Sequence, residues 1–353
     1  MKRINDIFKD VISLENLEKA SIKAKKNKNK IEEVEYFDKN KEILLKKLQK
    51  SLINKTFTTS KYKIFQVNDN GKTREIFDLP FYPDRIVHWA LMLQIDNILR
   101  KTFIFDSYAA IPNKGGHKAL KRARKWLIEF PQDTKYCLKI DVKKYFPNIN
   151  QDVLSSLVRK IIKDKDVLWL IDDIIYSTES GLPIGNYTSQ YFGNFYLTYF
   201  DHYCKEDLKL RHMQRYMDDY VFYNSSKDYL YKCKLKMDKY LSDNLKLKIK
   251  DNWRIFETKK DGVDFVGFRN FGEYVLLRKT ICKNFKYKMK KISNFASKEG
   301  YITTHHYISI NSYMGWLKWC NSYNLYKKYI KPLQKYLNKY KEEINESTIK
   351  TQT

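Results

Sequence analysis

Residues 215–223 read Arg-Tyr-Met-Asp-Asp-Tyr-Val-Phe-Tyr, two adjacent aspartates set between aromatic, β-prone runs. Aromatic and β-branched side chains favour strands. Inside a strand, neighbouring side chains point to opposite faces, so one of the two carboxylates would enter a core. At the tip of a hairpin both can project to one side. Two ionised carboxylates that close repel, and a divalent cation is the usual remedy. The stretch therefore predicts a hairpin over 213–224 with its acids at the turn. Asp172-Asp173, in LWLIDDIIY, is the internal contrast: the same dipeptide in a helical-looking run, read as ordinary surface.

A third acid, Asp141, lies 77 residues before Asp218 in YCLKIDVKKYFP (136–147), closing a short strand before a turn into a helix. By itself Asp141 suits a helix cap or a turn. Paired beside the hairpin, its strand would bring three carboxylates to one spot. Oxygen-only ligands suit Mg²⁺, which keeps waters and binds substrate phosphates. Two such ions about 4 Å apart can activate an attacking hydroxyl and stabilise the leaving oxygen of a phosphoryl displacement.

The charge points to the partner. Sixty-eight Lys and Arg stand against 41 Asp and Glu, a net charge of +27 that calls for a polyanion, nucleic acid first. Residues 278–341 hold 15 Lys or Arg and one acid, Glu299, interleaved with Trp316, Trp319 and nine tyrosines. Cations neutralise phosphates while aromatic faces meet bases and sugars, so this mixture suits a surface that tracks a nucleic-acid backbone. A solvated, lysine-rich helical face is the plainer reading of any single lysine. The run KKNKNK (25–30) reads as an exposed loop.

The remaining composition excludes other classes. No run of 18 apolar residues occurs and the N-terminal MKRINDIFKD has no apolar core, so neither a membrane span nor a secretory signal is expected. Cys137, Cys204, Cys233, Cys282 and Cys320 form no CxxC pair and read as reduced cytosolic thiols, and no histidine has metal-ligand spacing. His305-His306 reads as surface.

Helical patterns run over 6–24, 38–53, 84–101, 116–130, 150–163, 166–177, 187–206 and 227–245, and again to about 340. A hairpin over 62–77 turns at Asn70-Gly71, and strands are expected near 136–141 and 247–277. Helices mixed with short antiparallel strands make the fold α+β.

These motifs resemble the reverse transcriptases. Tyr216-Met217-Asp218-Asp219 resembles their YxDD box, Ile140-Asp141 their first metal motif, and Gly181–Gln190 (GLPIGNYTSQ) their template- and nucleotide-facing motif. The order matches from about residue 60 to 275, and Ser309–Leu325 is similar to the thumb helices. The resemblance implies a right-hand polymerase fold: fingers, a palm with a small antiparallel sheet, and a helical thumb. The divisions are an N-terminal helical extension (1–55), fingers and palm (56–272) and a basic thumb (273–353).

The resemblance also assigns roles. Asp141, Asp218 and Asp219, with the Val142 carbonyl, would hold two Mg²⁺ ions, with Mn²⁺ able to substitute. Lys72 and Arg74 share a strand face and would grip the nucleotide triphosphate, bidentately for Arg; an exposed charge pair is the alternative. Phe146, five residues after Asp141, would exclude a ribose 2′-hydroxyl, with Tyr145 as competitor. Lys250 or Lys248 would act as general acid at the leaving pyrophosphate, Lys250 being the choice. Phe265-Val266-Gly267-Phe268 would be the primer grip, where glycine permits close approach of backbone to primer; a tight hairpin of core aromatics fits as well. The DRIV-like segment Asp84–Val87 points to a buried fingers helix with Arg85 structural. Ile111, where many relatives carry Arg, takes no basic role.

Many reverse transcriptases read PQG and later SP where this chain has Pro183-Ile184-Gly185 and Ser189-Gln190. That variant resembles the enzymes of diversity-generating retroelements, which copy a template RNA with errors at adenines. The nucleotide contacts then include Ile184, Gly185 and Gln190, although Ile184 also suits a plain core position. The expected partners are template RNA, primer and cDNA, dNTPs, and a small basic helical accessory protein forming a ring. The setting is bacterial or phage-encoded cytoplasm, without a membrane. A bacterial antiphage-defence reverse transcriptase shares the chemistry. A non-catalytic RNA-binding protein with the same fold is the rival of another class, and the intact aspartate set stands against it.

Overall fold

The computed structural model describes residues 3–26, 31–69 and 71–350, without the side chains of Asp69, Lys72 and residues 345–350. Most of the KKNKNK run and the turn residue Asn70 therefore lie outside the described residues. Helices and short strands follow one another much as the pattern predicts, and the fold is α+β with small sheets.

The expected helix over 6–24 is two helices, Phe8–Val11 and Leu14–Ala24. Ser13 interrupts the run and caps the second helix by accepting from Asn16 N at 3.2 Å. A separate helix, Glu32–Lys39, precedes Lys41–Ile53. The stretch expected as one helix over 187–206 is three successive segments, Tyr187–Tyr196, Thr198–His202 and Tyr203–Asp207.

Strands β1 (Lys63–Asp69) and β2 (Lys72–Asp78) form an antiparallel hairpin that sets Val67 opposite Arg74. Strands β3 (Tyr136–Asp141), β4 (His212–Tyr216), β5 (Asp219–Asn224) and β6 (Arg254–Glu257) form a four-stranded sheet in the order β4-β5-β3-β6. Strands β7 (Val263–Phe265), β8 (Phe268–Asn270) and β9 (Val275–Leu277) form an antiparallel three-stranded sheet.

By packing, the chain divides into two units of interleaved stretches. The first is Met1–Asn113, Lys139–Tyr220 and Tyr231–Arg254; the second is Lys114–Leu138, Val221–Leu230 and Ile255–Thr353. The core of the first unit joins aliphatic side chains to a group of large aromatics. Phe192, Phe195, Tyr196 and Phe200 recur at three- and four-residue spacing and are fully buried, as is Tyr220 of β5. The second unit is built on the helix Lys279–Glu299, whose Phe285, Met289, Ile292 and Ala296 form one buried stripe. Lys283, Lys286, Lys290 and Lys291 stay exposed around it, so the same helix packs a core and presents cations. Among the described residues, no helix is long and apolar enough to cross a membrane.

Candidate active site

Met217 and Asp218 join β4 to β5, with Met217 in the left-handed region (φ 56°). Asp218 thus sits at the tip and Asp219 opens β5. On β3, Lys139 and Asp141 are two apart and share a face. The Asp218 carboxyl lies beside that of Asp141, while Asp219 Oδ2 accepts from Lys139 Nζ at 3.3 Å. Burial, and then the Asp141 carboxyl beside it, pushes Asp218 up to about 7. Two carboxyls set side by side repel, and a hard divalent cation between them would relieve that repulsion, so this donor set fits Mg²⁺. The third acid stands beside the pair with its own cation. Among the described residues, no three His, Cys, Asp or Glu side chains cluster as metal ligands do.

The structure separates the two candidate lysines. Val142 bridges Ile249 antiparallel, flanked by backbone bonds from Lys143 N to Lys248 O (2.9 Å) and from Lys250 N to Asp141 O (2.8 Å). The Val142 carbonyl takes no part in these two bonds. Of the lysines, Lys250 sends Nζ to Asp141 Oδ2. Its ammonium therefore sits on the carboxylate pair.

Tyr145 and Phe146 also part company. Both lie on the short helix Tyr145–Asn148, entered through Lys144 in the left-handed region (φ 44°). Tyr145 is buried and donates its hydroxyl to Gly193 O. Phe146 is half-buried, and its ring rests on Gly193, where a Cβ would lie 3.2 Å from Cε1. The same Cβ would lie 3.6 Å from Met217 Sδ, so Gly193 floors both Phe146 and the hairpin turn.

Ile184 is half-buried and its carbonyl accepts from Phe77 N of β2 at 2.8 Å. Gly185 follows with φ 133°, and any Cβ there would collide with the Phe77 carbonyl. The glycine is required by this contact. Gly185 and Gln190 line a cavity of about 420 Å³ with Lys23, Lys26, Arg85 and His88. Beside it Trp89 stacks on Tyr187, ring centroids 3.8 Å apart. His88 is buried with Nε2 making no hydrogen bond, and burial, helped by Arg85, pushes its pKa down to about 3. Arg74 is exposed on β2, and the Lys72 side chain lies outside the described residues. Arg85 is structural as expected, bonded to Leu79 O and Asp78, and Ile86 and Val87 are fully buried.

Sequence reasoning passed over Arg215, the largest fully buried side chain. Its Nε donates to both oxygens of Asp201 (2.8 and 3.0 Å), Nη1 to Asn194 Oδ1 (3.0 Å) and the Met217 carbonyl (3.1 Å), and Nη2 to Asn194 O (3.1 Å). Tyr220 also donates to Asp201 Oδ1 at 2.7 Å. Burial opposes the charge, but the Asp201 carboxylate outweighs it and raises the guanidinium above its ordinary value. An arginine in the strand His212–Tyr216, directly before the turn that carries Asp218, was the available signal.

The expected primer-grip residues form the β7–β8 turn of the second unit. Phe265 and Phe268 are buried, and Val266 and Gly267 turn with φ 45° and 87°. Trp316 and Ile281 fill the space a Gly267 side chain would take, with Ile281 Cδ1 at 3.1 Å. Here the glycine makes room for a tryptophan of its own unit.

Asp172 and Asp173 lie on the helix Lys165–Ile175, without a hairpin, as expected. They are more than surface. Asp172 takes Ser155 Oγ at 2.8 Å and the Arg159 guanidinium; Asp173 Oδ2 takes Thr59 N at 2.9 Å and Thr59 Oγ1 at 2.6 Å.

Residues 66–270, more than half of the chain, match the family model of the reverse transcriptase (RNA-dependent DNA polymerase). The group II intron-encoded protein LtrA of Lactococcus lactis subsp. cremoris is 25% identical over 43% of this chain. A putative COX1/OXI3 intron 2 protein of Saccharomyces cerevisiae is 23% identical over 48%. Nuclear intron maturase 1 of Arabidopsis thaliana is 26% identical over 29%. The chain spans 14 to 27% of the length of these curated relatives. Among solved structures, telomerase of Candida albicans overlaps 67% of this chain and 49% of its own at a TM-score of 0.48, with 12% identity.

Proposed function

The chain belongs to the reverse transcriptase family, and from that premise we propose that it copies RNA into DNA. The primer 3′-oxygen attacks the α-phosphorus of a dNTP, the bond to the β-phosphate oxygen breaks, and pyrophosphate leaves. The observation that carries this reading is the placing of Asp218, at the tip of an aromatic hairpin, beside Asp141, inside the family match. Asp141, Asp218 and Asp219, with the Val142 carbonyl, would hold Mg²⁺, which when bound supplies positive charge at the attacking and leaving oxygens.

The chain's own groups do the rest. Lys250 is assigned the proton given to the leaving pyrophosphate, and its bond to Asp141 supports that reading. Phe146 stands half-exposed on its glycine floor, where its ring excludes a 2′-hydroxyl and selects dNTPs by sterics. Lys72 and Arg74 are assigned to the triphosphate. The cationic cavity beside Gly185 and Gln190, with its stacked Trp89 and Tyr187, has the chemistry of a single-stranded template path. Residues 1–55, 56–272 and 273–353 are read as helical extension, fingers and palm, and basic thumb, with Phe265–Phe268 as the primer grip.

The finer reading is the error-prone enzyme of a diversity-generating retroelement, working with a template-repeat RNA and a ring-forming accessory protein. Ile184 in Pro183-Ile184-Gly185 supports it, standing where many reverse transcriptases carry Gln, in a segment whose backbone is bonded to Phe77 of β2. Primer extension on a defined RNA template with Mg²⁺ and dNTPs, followed by sequencing of the cDNA, tests both levels. Errors concentrated opposite adenine, reduced by Ile184→Gln, are the expected result. Faithful cDNA refutes the retroelement reading and favours antiphage defence. RNA binding without synthesis refutes the polymerase.

A further inference from the structure

The Arg215 guanidinium is enclosed by acceptors that belong to three different parts of the first unit. Asp201 lies on the segment Thr198–His202, Asn194 on the helix Tyr187–Tyr196, and Met217 in the hairpin turn itself. The backbone of Arg215 is tied as well: its N–H donates to Asp106 O at 3.0 Å, and its carbonyl accepts from Tyr108 N at 3.0 Å. Asn194 is anchored in turn, donating from Nδ2 to Ala109 O at 2.8 Å.

A buried arginine used only to neutralise Asp201 needs one face of its fork. This one spends Nη1 on a backbone carbonyl at the residue whose left-handed conformation turns the chain into Asp218. A left-handed non-glycine residue is a strained position that persists where its surroundings over-determine it. The bond to Met217 O is one such constraint, and the Gly193 floor beneath Met217 Sδ is the other.

We propose that Arg215 is a positioning residue of the polymerase centre: by holding the Met217 carbonyl from within the core, it sets the direction in which Asp218 is presented. Asp201 keeps the guanidinium charged and oriented, and Asn194 fixes the nitrogen that reaches the turn. The inference rests on the reading of this hairpin as the polymerase centre.

Lysine at 215 keeps a cation for Asp201 but has a single nitrogen, which cannot serve Asp201, Asn194 and Met217 together. Tyr220→Phe is the matched control, because it removes a donor from Asp201 and leaves Met217 untouched. Both variants and wild type are compared by primer extension well below their unfolding midpoints, and by the rise in unfolding midpoint on titrating Mg²⁺. Arg215→Lys is expected to lower turnover at saturating dNTP about 10- to 100-fold. Its KM for dNTP and its affinity for primer–template stay within about two-fold, and the Mg²⁺-induced rise shrinks. Tyr220→Phe keeps turnover within about two-fold and keeps the full Mg²⁺ response.

Full turnover in folded Arg215→Lys, or an equal loss in Tyr220→Phe, overturns the proposal. If Arg215→Lys does not fold, Asn194→Ser carries the same expectation, and unchanged turnover in that folded variant overturns it. A wild-type protein that binds primer–template and extends nothing overturns the reading of the site, and the inference with it.

Discussion

The first unit contains two Asp-Asp pairs, and they are treated in opposite ways. On the helix Lys165–Ile175, each carboxylate is met by donors: Ser155 and Arg159 for Asp172, Thr59 for Asp173. At the hairpin tip, Asp218 is set against another acid and pushed up to about 7 by burial and that neighbour. One pair is satisfied within the fold and holds helices and loops together. In the other, Asp219 meets Lys139, but Asp218 is left against Asp141, an arrangement that an added cation would relieve. The dipeptide is the same; the local geometry decides which of the two it becomes.

Asp218→Asn is the harshest way to break this contrast. It keeps the shape and removes the charge, so synthesis should fall by about 10³-fold or more, the several kcal/mol that metal-borne charge stabilisation supplies. The unfolding midpoint without Mg²⁺ should hold or rise, because a buried acid beside another acid is gone. A large loss of stability instead would place this pair in the same class as the helical one. Lys250→Met should cost about 10²-fold in single-turnover rate, in the range for a lost general acid, with primer–template affinity kept. Lys139→Met removes the cation from Asp219, and about a tenfold loss of rate is expected from a displaced carboxylate, measured by the same assay. The mildest test is Asp172→Asn. Its ion pair with Arg159 is partly exposed, so about 0.5–1 kcal/mol of stability should be lost in urea melts. Activity per folded molecule should not change.

Much of this was legible before the structure. The alternation of aromatic and β-branched residues around 215–223 is a strand signal, and two acids inside it admit few places other than a turn. The three- and four-residue spacing of Phe192, Phe195, Tyr196 and Phe200 marks a buried helix face. What stayed illegible depends on pairing across long separations. Lys248 and Lys250 both lie in LKLKIK, and only the bridge of Val142 to Ile249 decides which ammonium meets Asp141. Asp172-Asp173 read as surface because Thr59 is 114 residues away from its partner. Arg215 takes no role in the sequence reading until Asp201 and Asn194, from helices upstream, are seen to enclose it. Ser13 shows the opposite limit, a local break that helical periodicity alone smooths over.

Gly193 lies beneath two side chains at once, the ring of Phe146 and the sulfur of Met217. A Cβ added there would crowd the Phe146 ring at 3.2 Å and meet Met217 Sδ at an ordinary contact distance of 3.6 Å. The ring assigned to the sugar and the turn that carries Asp218 therefore share one support, and a larger residue at 193 is felt first by the ring.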